Sequence, residues 1–188
     1  MAKRNTQSGL GSPVETPGVK FGAVVRDGRG TPIVGVRVRS VGGDRPFLDH
    51  STFVSNANGE FALYMTEAVA LNVMLTPPLG YEVKRSFQMP GPGDYNITLR
   101  RIVRVECTLP AAVRVRSREY VRGIVTFDSG EPYAGSADFT ISSSDARILK
   151  TGTGGGDMYV EGAGVGRTET VCSYCDVQSE PRLVEVVE

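Results

Sequence analysis

Three cysteines are the residues of this 188-residue chain whose type and spacing come nearest to a chemical site. Cys172 and Cys175 form a C-x-x-C pair, a spacing that suits a bound metal or a redox-active disulfide. A structural zinc needs four ligands, and the further candidates are Cys107, His50 and carboxylates such as Asp176. The pair alone therefore supplies only half of a zinc site.

Cys107 fits better as a core residue, because it alternates with Val105 and Leu109 along a strand pattern. We predict no bound metal and no cofactor, and keep Cys172, Cys175 and Cys107 as weak metal candidates. Reduced cysteines are the favoured state. The alternatives are a zinc ion and a disulfide, formed either within the pair or to Cys107.

The densest basic stretch offers a candidate interaction surface, and it consists of Arg100, Arg101, Arg104, Arg114, Arg116, Arg118 and Arg122. On alternating strands several of these arginines would share a solvent-exposed face. The face could simply be solvated, or it could contact an acidic protein, a neighbouring copy of the chain or nucleic acid. No aromatic residues are interleaved with the arginines, which argues against nucleic acid.

Two loop segments carry some features of ligand-binding loops. Residues 152–157 are rich in glycine, but a phosphate-binding loop needs a following helix, and residues 158–160 have the pattern of a strand. Residues 56–60 lack the Asp and Glu ligands of a calcium loop at their full spacing. Both segments are predicted to be turns.

The titratable residues do not group into a catalytic pair. The chain has one histidine, His50, no nucleophile with an evident base, and carboxylates that the sequence does not cluster. We therefore predict that the chain is not an enzyme.

An internal repeat defines the elements that hold these residues. The segment Gly22 to Gly35 recurs as Gly123 to Gly135 with one residue deleted, and both copies read G-x-V-x-x-D-(x)-x-G-x-P-x-x-G. Asp and Gly tolerate turn conformations, and Pro presets one backbone angle, so each copy predicts a strand, a turn and a second strand. Residues 55–63 find a looser partner in residues 151–160.

Further strands follow from apolar residues that alternate with polar ones. Four such sets are Val34, Val36 and Val38; Val69, Leu71, Val73 and Leu75; Tyr95, Ile97 and Leu99; and Val103, Val105, Cys107 and Leu109. Arg37 and Arg39 take the face opposite to the first set. The sequence thus predicts an all-β chain.

The repeated unit, followed by N-x-x-G-x-F-x-L at residues 56–63 and by Leu79-Gly80-Tyr81, resembles the carboxypeptidase regulatory-like domain. The match covers residues 20–100 well and 121–165 loosely. The resemblance implies a transthyretin-like antiparallel β-sandwich, in tandem, without the zinc-binding catalytic domain. Such domains act as spacers, adhesive modules or assembly elements, and comparable units occur in pilus ushers and surface adhesins.

Length and charge complete the expected organisation. We predict a flexible arm at residues 1–17, a first sandwich at 18–101 and a more divergent second sandwich at 102–188. Residues 1–122 hold 17 Lys and Arg against 10 Asp and Glu, whereas residues 123–188 hold 4 against 11. This separation of charge favours head-to-tail contact between copies or docking by one end.

These patterns favour a structural or docking protein of a larger assembly. The most concrete expectation is a virion decoration or minor structural protein, located in the virion. The alternative is a fragment of an extracellular or cell-surface adhesin or pilus-assembly protein that binds a protein or a glycan. The expected partners are other protein subunits, including copies of the chain itself. The sequence has no apolar segment long enough to predict contact with a membrane.

Overall fold

A computed structural model describes residues 18–41, 46–135, 138–154 and 156–188, with backbone only at Arg85. Every regular element in this part of the chain is a β-strand, so the predicted all-β class is confirmed. Within the same residues, no helix is long and apolar enough to cross a membrane. The predicted arm at residues 1–17 lies outside the described residues.

The N-terminal half, residues 18–99, packs two three-stranded sheets against each other. One sheet has the order β3-β1-β6 and the other the order β2-β4-β5. β1 pairs with β3 antiparallel and with β6 parallel, so the first and last strands of this half are neighbours. The strands are β1 Val19–Arg26, β2 Arg37–Ser40, β3 Glu60–Met65, β4 Leu71–Thr76, β5 Lys84–Met89 and β6 Gly93–Thr98.

The core of this half lies between the inward faces of the two sheets. Phe21 and Val25 from β1 meet Leu63 from β3, and Leu71 and Val73 close the core from β4, each at most 1% exposed. Strict alternation along β4 buries every second residue, as its sequence predicts.

The C-terminal half, residues 102–188, builds three sheets around a second core cluster. The orders are β11-β10-β7, β12-β15-β17-β8 with β16 beside β15, and β13-β14-β9. The strands are β7 Ile102–Cys107, β8 Ala112–Arg114, β9 Arg118–Val121, β10 Gly123–Phe127, β11 Pro132–Gly135, β12 Phe139–Ser143, β13 Leu149–Gly154, β14 Asp157–Gly162, β15 Gly166–Tyr174, β16 Val177–Gln178 and β17 Arg182–Val187. Whether each half is an independent domain stays a prediction.

A disulfide connects two sheets of the C-terminal half. It joins Cys107 on β7 to Cys172 on β15, with a Cα–Cα distance of 6.2 Å and a sequence separation of 65. Both cysteines are nearly inaccessible to solvent, so the prediction that Cys107 is a core residue is confirmed. The favoured expectation of reduced cysteines is wrong for this pair, because opposed strands bring together thiols that are far apart in sequence.

In both copies of the repeat, a strand is followed by a turn and by a segment that pairs with the strand, as predicted. In the first copy Arg26 at the end of β1 bridges Pro32, and in the second copy β10 pairs with β11. Gly30 (φ 84°) and Gly130 (φ 83°) occupy corresponding left-handed positions in the two turns. Glycine takes this conformation without the steric penalty of a Cβ atom.

The two glycine- and asparagine-containing loops are turns, as predicted. Asn56 Oδ1 accepts hydrogen bonds from the amides of Asn58 (2.9 Å) and Glu60 (3.0 Å), which closes the first turn. β13 and β14 form an antiparallel hairpin around the second turn, of which residue 155 lies outside the described residues. A strand therefore follows the glycine run, where a phosphate-binding loop would need a helix.

The predicted alternation fails at Val34, which is 53% exposed. Gly35 follows it with a φ of 80°, so the chain turns between Val34 and the buried residues Val36 and Val38. A left-handed residue breaks the two-residue period, which places Val34 in the turn and outside the strand.

Val103 also departs from the predicted face and is 63% exposed. Arg104 on β7 pairs with Thr126 on β10, but the next pair joins Ile102 to Phe127. Val103 is thus the extra residue of a β-bulge, and Ile102 takes its place in the core.

Candidate docking surface

The Arg100 side chain contacts both halves. The Arg100 guanidinium donates two hydrogen bonds to Glu82, from Nε to Oε1 at 2.9 Å and from Nη2 to Oε2 at 2.6 Å. The same guanidinium lies 3.9 Å from the ring centroid of Phe127, which belongs to the core of the C-terminal half. The hydrogen bonds that Arg100 donates to the Glu82 carboxylate raise the pKa of Arg100 above its ordinary value, so the guanidinium stays charged.

Backbone hydrogen bonds fix the same junction. The Asp128 amide donates to the Arg101 carbonyl (2.9 Å), the Arg101 amide donates to Asp128 Oδ1 (3.2 Å), and the Ile102 amide donates to the Gly80 carbonyl (2.7 Å). Gly28, in the turn of the first repeat, lies against Asp128, since a Cβ atom at Gly28 would come within 3.3 Å of Asp128 Oδ2. The turns of the two repeats thus meet, and the halves are held in one arrangement.

A cleft of about 520 Å³ lies between the two halves. Its lining comprises Arg39, Met74, Thr76 and Val83 from the N-terminal half and Asp138, Phe139, Thr140, Ser173, Tyr174, Cys175 and Asp176 from the C-terminal half. Tyr174 packs on Phe139 with ring centroids 4.8 Å apart. Burial raises the pKa of Tyr174 to about 12, so its phenol is neutral at physiological pH.

The C-x-x-C segment enters this cleft as a tight turn. Tyr174 pairs with Val177, so Cys175 and Asp176 are the two central residues of a β-hairpin, with φ values of 46° and 64°. Type I′ turns require positive φ at both positions and usually place Asn, Asp or Gly there. The left-handed conformation costs a residue such as Cys175 about 1 kcal/mol.

A second surface, which we call the cationic groove, continues from the cleft across the outer side of β2 and β4. It encloses about 400 Å³ and is lined by Arg37, Val38, Arg39, Phe53, Val54, Met74 and Thr76. Arg39, Met74 and Thr76 belong to both the groove and the cleft, so the two form one continuous depression.

The groove combines an apolar floor with positive charge. Phe53 is 40% exposed and Val54 is 53% exposed, and Met74 lies beside them. Arg39 Nη2 donates to Met74 Sδ at 3.8 Å. Among the described residues, no carboxylate oxygen lies within 4.0 Å of the Arg37 or Arg39 guanidinium. Apolar surface beside a cation is the composition of protein-binding sites.

The predicted arginine stretch is distributed over three sheets. Arg104 lies on β7, Arg114 on β8 and Arg118 on β9, and these strands belong to different sheets. Arg104 pairs with Glu106 at 2.8 Å and Arg118 with Glu161 at 2.7 Å. Arg104, Arg114 and Arg118 therefore do not share one sheet face, whereas the sequence predicts a shared face for several arginines of the stretch.

The other arginines of the stretch also serve local structure. The Arg101 amide contributes to the junction, the Arg122 amide donates to Thr108 Oγ1 at 3.1 Å, and Arg116 has a φ of 66° in a turn. Local contacts explain much of this stretch, and its role as an interaction surface stays a prediction.

The weak metal candidates are separated by the disulfide. Cys107 and Cys172 are bonded to each other, and Cys175, which takes no part in the disulfide, lies at the cleft. His50 stacks on Tyr64 with centroids 4.2 Å apart, far along the chain from the cysteines. In the described part of the chain, no group of three His, Cys, Asp or Glu residues is arranged to hold a metal ion.

The cationic groove is not evident as a site in the sequence. Arg37 and Arg39 lie on the outer face of their strand, as the alternation with Val36 and Val38 predicts, but the sequence does not single them out. The usable signal is the composition of the surrounding sheet, since β2, β4 and β5 contain four basic residues (Arg37, Arg39, Lys84, Arg85) and no acidic residue.

No family model matches the sequence, and no curated protein sequence matches it. The resemblance to the carboxypeptidase regulatory-like domain thus stays a prediction.

Three solved structures are similar at low identity. They are domains 4 and 5 of the S-layer protein SbsC (8% identity, TM-score 0.41, 67% of this chain and 69% of that chain), the major pilin subunit BcpA of Bacillus cereus (8%, 0.38, 90% and 69%) and a streptococcal ancillary pilin (13%, 0.42, 93% and 62%). These proteins are components of an S-layer and of pili, and what they assemble into is a property of those proteins.

Proposed function

We propose that the chain is a non-catalytic structural module that holds protein partners in a larger assembly on the extracellular side of a cell. The observation that carries this proposal is the junction at Arg100. One guanidinium there binds Glu82 and stacks on Phe127, while the two repeat turns interlock beside it. A fixed arrangement of two cores suits a spacer or an adhesive unit.

The Cys107–Cys172 disulfide supports the extracellular location. Disulfides persist in oxidising environments, such as the cell exterior and the surface of virions, and are rare in the cytosol. This bond lies in the core and links two sheets, so it serves the fold. Cys175 lies outside this bond.

The polar groups that could support catalysis take part in structural contacts. Glu82 and Glu161 bind arginines, Asp145 pairs with Arg147 at 2.8 Å, and His50 stacks on an aromatic ring. These contacts stabilise turns and strand pairs, which supports a role without catalysis.

A virion structural protein is the second candidate. The separation of charge between residues 1–122 and 123–188 favours it, since a polar chain can dock by one end on a charged lattice. A disulfide also persists on the exposed surface of a virion.

Fractionation of the native source tests the proposal. An antibody against the chain should find it with high-mass cell-surface material, and alkylation without reduction should modify one thiol per chain, against three after reduction. Co-purification with virus particles would select the second candidate. Recovery as a free cytosolic protein with three reactive thiols would overturn both.

A further inference from the structure

The cationic groove has the composition of a surface that receives an acidic partner. Its sheet carries Arg37 and Arg39 at the groove and no acidic residue on any of its three strands. The exposed side chains of Phe53 and Val54 supply apolar contact area between the cations. An occupant must therefore offer carboxylates next to an exposed apolar or aromatic side chain.

The hairpin formed by β10 and β11 offers that combination on the opposite half. The hairpin, residues 123–135, contains two acidic residues (Asp128 and Glu131) and no lysine or arginine. β11 lies at the edge of its sheet, Tyr133 on it is 41% exposed, and Glu131 just before it is exposed. The hairpin thus places an aromatic ring two residues from a carboxylate.

We propose that the cationic groove of one copy binds the acidic β10–β11 hairpin of a second copy. Arg37 and Arg39 would pair with Glu131, while Tyr133 would pack on Phe53 and Val54. The overall charge separation of the chain supports a second copy as the occupant, since the basic and acidic surfaces belong to one sequence of net charge zero.

Groove and hairpin are different surfaces, so the contact is head-to-tail. Each copy in a bound pair keeps one unoccupied groove or hairpin, and further copies add until a ring closes or a filament grows. This inference rests on the proposed structural function, because it names the partner of the same surface.

Sedimentation velocity of the purified chain at two salt concentrations gives the first test. At about 0.01 M salt the Debye length is about 30 Å, and at about 1 M it is about 3 Å. We expect sedimentation coefficients that rise with protein concentration at low salt and a monomer at high salt. A monomer under both conditions at millimolar protein would overturn the inference.

Charge exchange gives the second test. The double variant Arg37→Glu/Arg39→Glu and the variant Glu131→Lys should each associate about tenfold more weakly than the wild type, because like charges then face each other. An equimolar mixture should recover association, since each variant then meets an opposite charge. Arg29→Glu, a matched charge reversal in the exposed turn of the same half, should leave association unchanged.

Equal weakening by Arg29→Glu, or no recovery in the mixture, would overturn the assignment of these two surfaces. The failure of this inference is distinguishable from failure of the proposed function. A chain that is monomeric in vitro but recovered in the high-mass surface fraction would overturn self-association alone, and the structural role would then involve a different protein.

Discussion

The turns of the two repeats share a sequence motif but use its aspartate differently. Asp27 is buried and closes its own turn, where Oδ1 accepts hydrogen bonds from the amides of Arg29 (2.9 Å) and Thr31 (2.8 Å). Asp128 directs Oδ1 to the Arg101 amide at the junction, and its Oδ2 is buried with no hydrogen-bond partner among the described residues. Asp27 therefore stabilises the N-terminal half, whereas Asp128 connects the two halves.

The strands before these turns also differ, since aligned residues point to opposite faces. Val24 and Val125 occupy the same motif position, yet Val24 is half-buried and Val125 is inaccessible to solvent. Val25, one position further on, is buried in the first copy, where the second copy has half-buried Thr126. A repeated motif can therefore preserve a turn while the flanking strand exchanges its faces.

The largest expected effect concerns the disulfide, which only the second half contains among the described residues. Cys107→Ala/Cys172→Ala should lower the free energy of unfolding by about 4 kcal/mol, because the bond closes a long loop in the unfolded chain. Urea unfolding should show the loss in the transition that exposes the C-terminal core. Cys175→Ala is the control, and a similar loss in that variant would contradict the prediction.

Substitution of the aligned valines tests the exchange of faces. Val125→Thr places a hydroxyl in the second core and should cost about 2 kcal/mol. Val24→Thr retains shape at a half-buried site and should stay within about 0.5 kcal/mol of the wild type. Thermal unfolding of both variants measures the difference. Equal losses would mean that the two strands bury the same motif face.

Removal of the aspartates separates their two roles. Asp27→Ala leaves two turn amides without their acceptor and should cost about 1.5 kcal/mol in the first half. Asp128→Ala should change the stability of either half less, but should lengthen the molecule in small-angle X-ray scattering. A wild-type scattering profile for Asp128→Ala would argue against its role at the junction.

The contribution of Asp27 to stability depends on pH. Burial raises the pKa of Asp27, but hydrogen bonds from the Thr31 and Arg29 amides outweigh burial and lower it below the ordinary value of 3.8. The stabilisation is therefore complete above pH 3.8 and is lost as pH falls through the lowered pKa of the folded state. The stability difference between the wild type and Asp27→Asn should shrink over that acidic range in chemical unfolding.

A small change in stability is expected at Arg100. Arg100→Ala should cost about 1 kcal/mol, since the guanidinium is partly exposed, but it should increase the range of inter-half distances seen by scattering. Arg118→Ala is a matched control, because Arg118 binds Glu161 and lies 4.1 Å from the Tyr159 ring within one half. An equal increase in that control would remove the special role of Arg100.

Much of the fold follows from local sequence. The Asn-Gly and Asp-Gly turns and the alternation along β4 are properties of a few adjacent residues, so their prediction needs no partner strand. The bulge at Val103 and the turn at Val34 interrupt that alternation through register and a left-handed glycine. The apolar pattern alone predicts neither the change of register nor the left-handed conformation of the glycine.

The candidate site depends on contacts between distant segments. The groove joins Phe53 to Arg37 because residue 54 bridges β2, and the disulfide joins Cys107 to Cys172 because β7 and β15 lie on opposed sheets. The C-x-x-C spacing suggests that Cys172 pairs with Cys175, but the disulfide partner of Cys172 is Cys107, 65 positions earlier in the sequence. Sequence spacing predicts pairs of nearby residues, and it does not predict contacts between segments that are far apart in the chain.

The parallel pairing of β1 with β6 has a mechanical consequence. Phe21 pairs with Gly93 and Arg26 with Thr98, so the chain enters the N-terminal half at one end of the sandwich and leaves it at the other. Tension between these points, about 25 Å apart along the strands, would load all the hydrogen bonds between β1 and β6 together in shear. Single-molecule pulling should therefore give a high rupture force for this half, while a gradual, low-force opening would show that the strands peel apart one bond at a time.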